Sequence, residues 1–194
     1  MAALPDKTTN PKYPTQTMNV EMIKAHVRTI PDFPKPGILF RDITTVYKDA
    51  DCLQELTRSL TNYYKDKGIT KVLGIESRGY TMASILAQKL NAGFVFVRKP
   101  GKLPARTVQQ SYEKEYGIDT IEIHEDALSP DDVVLIHDDL LATGGTMEAT
   151  YNLVRKLGVT KVYLNCIIEL VDLKGRNRLP ADLDFYCPIV YEGE

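Results

Sequence analysis

Val133-Val-Leu-Ile-His-Asp-Asp-Leu-Leu-Ala-Thr-Gly-Gly-Thr146 is the stretch on which the fold turns. Its unbroken apolar run has no polar alternation, which describes a strand covered on both faces. The strand, predicted over Asp132–His137, delivers two adjacent carboxylates, Asp138 and Asp139, to its carboxyl end. Ala142-Thr-Gly-Gly-Thr146 then opens a helix whose apolar residues Leu153, Val154 and Leu157 run up to Gly158. A fully covered strand feeding a helix is the repeating unit of a parallel sheet.

The same unit recurs outward from it. Lys71–Glu76, Phe94–Arg98 and Lys161–Ile168 read as further buried strands. Between them, Leu53, Leu56, Leu60 and Tyr63 share one face of a helix capped by Asp49 or Asp51 and ending near Gly68, and Tyr80–Leu90 forms another. The alternation predicts an α/β fold with a mainly parallel central sheet, helices on both faces and one domain over residues 18–194. Toward the N-terminus, Val20, Ile23, Val27 and Ile30 predict a helix stopped by Pro31. Pro31-Asp-Phe-Pro-Lys-Pro-Gly37 predicts an extended connection into Ile38–Asp42, giving a small hood over about residues 31–45. Residues 1–17 carry Pro5, Pro11 and Pro14 among polar residues with no apolar period, the composition of a disordered tail. Lys99–Ser129 interrupts the alternation with polar sequence, in which Thr107–Tyr112 and Thr120–His124 suggest a two-stranded excursion. A polar insertion of that length in a compact domain suits a lid, here a flexible loop over about residues 100–125.

Composition narrows the function. With 43% hydrophobic and 26% charged residues, the 194-residue chain suits one soluble core. A formal net charge of -2 provides no general field for nucleic acid or an acidic membrane. Cys52, Cys166 and Cys187 show neither metal-ligand spacing nor a disulfide framework, the usage of a cytoplasmic protein with reduced thiols. No apolar run approaches the roughly 20 residues of a membrane span, and the N-terminus lacks the apolar core of a secretory signal.

The chemistry gathers at strand ends, where open parallel sheets bind ligands. Gly144 and Gly145 permit dihedrals and close approaches that a side chain forbids. The loop amides, a helix N-terminus and the hydroxyls of Thr143 and Thr146 offer a cradle for phosphate. Asp138 and Asp139, adjacent to it, offer acceptors for the vicinal hydroxyls of a ribose. The pattern fits a ribose 5-phosphate better than a nucleoside triphosphate loop, because no Lys follows the glycines. Taken alone, the double glycine is an ordinary turn; the carboxylate pair gives it specificity. Glu76-Ser-Arg-Gly79 places Arg78 and a helix N-terminus where pyrophosphate oxygens can be held. Arg98, Lys99 and Lys102 form a basic cluster just past a strand end, which alone would be a solvated face. Leu39 and Phe40 can wall a flat apolar slot or simply pack in the core. His137 reads as a satisfied core histidine.

Asp138–Thr146 resembles the phosphoribosyl pyrophosphate (PRPP) signature of type I phosphoribosyltransferases, in its adenine-specific form. Pro31–Asp42, Ser77-Arg-Gly79, Arg98-Lys-Pro-Gly-Lys-Leu-Pro104 and Glu115-Tyr-Gly117 follow in family order, so the resemblance covers most of the chain after the tail. It implies the type I fold and transfer of phosphoribosyl from PRPP to adenine with inversion, yielding AMP and pyrophosphate. It further implies a homodimer and Mg²⁺ carried on PRPP. Asp138, Asp139, Ala142, Thr143, Gly144, Gly145 and Thr146 would hold the sugar phosphate; Ser77, Arg78, Arg98, Lys99, Lys102 and Tyr116 would serve the remainder of PRPP. Leu39, Phe40 and Arg41 would select the base, the first and last through their backbone. Glu115 would act as acid or base at the purine imidazole ring, with Arg78 stabilising the leaving group. The Glu76–Ser77 peptide would be cis. Lys174-Gly-Arg176 matches the family too, as structure. A 6-oxopurine transferase, a PRPP- or nucleotide-sensing regulator on this fold, and a phosphotransferase with Asp139 as nucleophile are the competing readings.

Overall fold

The computed structural model describes residues 19–113 and 117–193. The expected tail lies outside these residues. Helix α1 (Val20–His26) is capped by Asn19, whose side chain accepts from the Met22 amide. Strands β1 (Arg28–Pro31) and β2 (Leu39–Asp42) pair antiparallel, with Ile30 opposite Phe40. The helix therefore stops four residues earlier than the apolar spacing suggests, because Val27 turns extended (φ -70°, ψ 118°) and Ile30 joins a strand. Leu39–Asp42, into which the proline segment leads, pairs with Arg28–Pro31. Helices α2 (Thr44–Tyr47) and α3 (Ala50–Tyr64) follow, with Asp49 accepting from the Cys52 amide at the start of α3. The buried face of α3 is Cys52, Leu56, Leu60 and Tyr64, rotated slightly from the expected one. Tyr63 instead stacks on Tyr186 at 4.1 Å and donates to Asp184.

The central sheet comprises β3 (Lys71–Ile75), β4 (Gly93–Val97), β7 (Val133–Leu141), β8 (Lys161–Leu170), β9 (Phe185–Tyr186) and β10 (Ile189–Tyr191). Its main path runs β10-β8-β7-β3-β4, β9 adds to β8, and every pairing is parallel. Helices α4 (Gly79–Lys89) and α5 (Gly145–Lys156) contribute to two separate hydrophobic clusters. One cluster joins Leu73, Val134 and Leu164 to Leu153 and Val154 of α5; the other joins Val72, Leu135 and Ile167 to α1, α3 and α4. Alternate residues of the same strands serve opposite faces, which is why those strands read as continuous apolar runs.

Strands β5 (Thr107–Glu113) and β6 (Ile118–His124) form the expected two-stranded excursion, antiparallel from Thr107–His124 to Glu113–Ile118. Arg98 and Glu122 exchange backbone hydrogen bonds of 2.9 and 2.8 Å, anchoring the excursion to the end of β4. Strand β7 is longer than the sequence indicates. It runs through both aspartates to Leu141, because β8 is also long and continues the ladder to Glu169. Among the described residues, no helix is long and apolar enough to cross a membrane.

Candidate active site

The carboxyl ends of β3, β4 and β7 converge on the residues singled out by their chemistry. After Leu141 the chain turns at Gly144, which has a left-handed backbone (φ 82°, ψ -7°) and starts α5 without a side-chain cap. The first amides of α5 thus have no side-chain acceptor, the condition under which a helix N-terminus takes an anion. Gly144 and Gly145 are buried, Thr146 is half-buried and Thr143 is exposed. The Thr146 hydroxyl lies 2.9 Å from the Tyr112 hydroxyl, and the Tyr112 ring sits where a Cβ on Gly145 would come within 3.1 Å. The β5–β6 excursion is therefore folded against the Ala142–Thr146 turn, the expected phosphate cradle.

Asp138 and Asp139 lie side by side, and the Asp139 amide donates to Asp138 Oδ1 at 2.9 Å. Burial, and then the charge of Asp139, push the Asp138 carboxyl well above the ordinary range. Two adjacent carboxyl groups offer several acceptor oxygens, which complements two adjacent hydroxyls. Arg78 Nε donates to Asp139 Oδ2 at 2.5 Å. The Arg78 guanidinium also stands 5.1 Å from the ring centroid of Phe40, so one side chain links Asp139 to the hood. Gly79 permits this meeting: a Cβ there would lie 3.0 Å from both Asp138 Oδ1 and the His137 carbonyl oxygen. The Glu76–Ser77 peptide is cis.

The basic cluster is organised by Glu76, whose role the sequence did not disclose. Its Oε2 accepts from the Lys99 amide at 2.9 Å and Arg98 Nε at 3.3 Å, and Oε1 pairs with Lys102. Burial opposes the charge on Glu76, but these donors outweigh it and hold the carboxyl below its usual range. Lys99 Nζ pairs with Asp119 of the excursion. Each of the three cations is thus paired with a carboxylate, Arg98 and Lys102 with Glu76 and Lys99 with Asp119. Alternation along β2 separates the base-selecting candidates. Phe40 faces Arg78 and packs edge-on against Phe33 at 5.1 Å, whereas Leu39 is 39% exposed on the other face. Arg41 lies over the Tyr191 ring at 4.0 Å and donates to the Thr29 hydroxyl. Glu115 and Tyr116 lie outside the described residues.

Two residues near the site went unnoticed in the sequence. The Tyr47 hydroxyl is enclosed without a hydrogen-bond partner among the described residues. Burial, then Asp139 and Asp138, raise its pKa, which places the ring near the carboxylate pair. Nothing in the local spacing marks a tyrosine on a four-residue helix. Tyr112 carried no signal either, since its partners lie on another element. His137 is a fully buried core residue with Nδ1 2.6 Å from Asn165 Oδ1, but it is satisfied at that ring nitrogen alone, since Nε2 has no hydrogen-bond partner among the described residues.

Comparison with known proteins settles the kinship of this geometry. Residues 43–187 match the phosphoribosyl transferase domain family. The chain is 60% identical over 166 residues to an adenine phosphoribosyltransferase of Phocaeicola vulgatus, covering 86% of this chain and 95% of that protein. The chain belongs to the adenine phosphoribosyltransferases. An adenine phosphoribosyltransferase of Acidobacterium capsulatum is 56% identical over 92% of this chain and 98% of its own. Among solved structures, the adenine phosphoribosyltransferase of Rhodothermus marinus matches with a TM-score of 0.84 and 49% identity, over 89% of this chain and 98% of that one. The enzyme from Giardia lamblia, complexed with 9-deazaadenine, matches with a TM-score of 0.86 and 40% identity, over 91% and 100%. The α/β fold and the adenine phosphoribosyltransferase activity expected from the sequence follow from these relatives.

Proposed function

We propose that this adenine phosphoribosyltransferase works through one cleft, in which the Asp138–Asp139 pair and the Ala142–Thr146 turn hold a single ribose 5-phosphate. The observation that carries the reading is the uncapped N-terminus of α5 directly beyond two adjacent aspartates on β7. Sugar hydroxyls meet the carboxyl groups and the 5-phosphate meets the turn amides and threonine hydroxyls. Pyrophosphate lies toward Ser77, Arg78, Arg98, Lys99 and Lys102, exchanging the carboxylates Glu76, Asp119 and Asp139 for its own oxygens. Adenine lies between Phe40 and the sugar, its edge read by the backbone of Leu39 and Arg41.

In the transfer, adenine N9 forms a bond to the anomeric carbon on the face opposite the departing oxygen. The electron pair of the breaking C–O bond leaves on pyrophosphate, and the purine imidazole proton passes to Glu115. Arg78 and the basic cluster stabilise the charge that grows on pyrophosphate, and the cradle fixes the sugar for in-line attack. Tyr116 contributes to binding PRPP, and the excursion excludes water from the cleft.

The site's donors are carboxyl and hydroxyl oxygens, a set that fits Mg²⁺ arriving on PRPP with most ligands from substrate and water. Among the described residues the clustered His/Cys/Asp set, His26, Asp49 and Cys52, lies instead where the end of α1 meets the start of α3. When bound, Mg²⁺ supplies further neutralisation of pyrophosphate; Asp138 and Asp139 are the nearby carboxyl groups suited to it. The active unit is a homodimer in the cytoplasm, where Cys52, Cys166 and Cys187 remain free thiols. Incubating the purified protein with PRPP, Mg²⁺ and each purine base separately tests the whole reading. AMP formed with adenine and no nucleotide with hypoxanthine or guanine is expected; equal turnover of a 6-oxopurine refutes the base selection. Sedimentation of a monomer at assay concentration would refute the dimer.

A further inference from the structure

The geometry points to the Lys174–Arg178 turn as the device that positions the phosphate cradle, with Gly175 as its positioning residue; this rests on the reading that Ala142–Thr146 holds the 5-phosphate. The turn lies far along the chain from the cradle, yet the two backbones are in direct contact. A methyl group on Gly144 would collide with the Gly175 carbonyl oxygen and lie 3.0 Å from its Cα. Conversely, a methyl group on Gly175 would collide with the Ala142 carbonyl oxygen and stand 2.9 Å from the Gly144 amide nitrogen. Both partners are main chain, so no flexible side-chain end can swing away to relieve the clash. The approach is reciprocal, and it requires glycine on each side.

The turn is held rigidly enough to serve as a backrest. Lys174 takes a left-handed conformation (φ 53°, ψ 28°) and its amide donates to the Val171 carbonyl at 2.9 Å, while the Asn177 amide donates back to Lys174 at 3.0 Å. Arg176 pairs through both Nε and Nη2 with the buried Glu169 of β8 and lies 4.4 Å from the Phe185 ring centroid. Glu169 stands opposite Leu141, the last residue of β7 before the cradle. Arg178 donates to Glu148, in the first turn of α5, at 3.1 Å. The turn is thus tied to the strand beside the cradle and to the helix that follows it, and Gly175 presses on the loop between them. Such a support fixes where the turn amides point without touching the ligand.

Gly175→Ala tests this. A misplacement of about 1 Å at a site of this kind costs on the order of a hundredfold, so titration of ribose 5-phosphate should show a dissociation constant raised about tenfold or more. The KM for adenine at saturating PRPP should stay within about twofold, a split that general destabilisation does not produce. A variant with a lowered Tm but unchanged ribose 5-phosphate affinity overturns the proposal. Arg178→Ala cuts an exposed tether without threatening the core. It should raise the same dissociation constant by about two- to fivefold, in line with the small worth of a surface pair. No change in it counts against the turn even if Gly175→Ala does not fold. Wild-type protein that fails to bind ribose 5-phosphate would sink the phosphate reading itself, a different failure from equal binding by wild type and variants.

Discussion

Asp139 does two jobs, which makes its removal informative. It is 4% exposed, accepts from Arg78 and stands where the ribose hydroxyls are assigned. Asp139→Asn keeps the shape and removes the charge that holds both partners. Hydrogen bonds to a charged group are worth about 1.5–3 kcal/mol, so PRPP affinity should fall about ten- to hundredfold in equilibrium binding; unchanged affinity would refute the assignment. His137, two residues earlier, affects stability instead. Burial lowers its pKa to about 4, against 6.5 in an open chain. Because the folded state resists the proton and the unfolded state accepts it, stability drains away as pH falls from 6.5 toward 4 and levels off below. The shift corresponds to roughly 3 kcal/mol. Denaturant unfolding as a function of pH should show wild type losing roughly that much more stability than His137→Val as pH falls across this window. Parallel curves would mean that His137 is not the group responsible. Reading His137 as core was possible from its place in an apolar strand, but its Asn165 partner belongs to a neighbouring strand and left no mark nearby in sequence.

At the level of elements, what could be read followed from whether the stabilising contact is local or distant. Strands β3, β7 and β8 announce themselves because burial on both faces demands unbroken apolar runs. The cradle was legible for a related reason, since its parts lie within nine consecutive residues, Asp138–Thr146. The β1–β2 hairpin was not. Val20, Ile23, Val27 and Ile30 satisfy a helical period, and only the pairing of Ile30 with Phe40 makes the last of them a strand residue. Glu76 was similarly opaque, because its three donors come from a different strand end. Correcting the hairpin changes how the base site should respond to mutation. With Phe40 facing Arg78 and Leu39 turned away, the two side chains are not equivalent walls. Base–aromatic stacking is worth about 1–3 kcal/mol, so Phe40→Ala should raise the KM for adenine about fivefold or more. Leu39→Ala keeps its backbone and should leave that KM within about twofold. Steady-state kinetics with adenine varied would decide it, and equal effects of the two variants would contradict the strand geometry.

Across the whole molecule, the β5–β6 excursion joins the two ends of the site proposed for PRPP, and Glu122 is where it is fastened. This carboxylate is 2% exposed, and it accepts from Thr107 and Gln109 at 3.0 Å and from the Lys102 and Leu103 amides at 3.3 and 3.4 Å. Through Lys102 it fixes the basic turn; through the hairpin it fixes Tyr112, whose hydroxyl meets Thr146 at the cradle. Burial opposes its charge, yet Gln109, Thr107 and the two amides prevail and hold the carboxyl below its ordinary range. The resulting stability is therefore present above the unfolded pKa and lost as pH falls through the lower folded one. Glu122→Gln retains the shape but cannot be an anion, and one oxygen becomes a donor facing donors. It should cost about 1–3 kcal/mol near neutral pH, and its unfolding curve should approach that of wild type in acid. It should also raise the KM for PRPP more than that for adenine, because the hairpin is tied to Lys102 and Thr146, residues assigned to the pyrophosphate and the phosphate. A constant stability gap from neutral pH into acid would show that the charge on Glu122 is immaterial, and the excursion would then have to be held by packing alone.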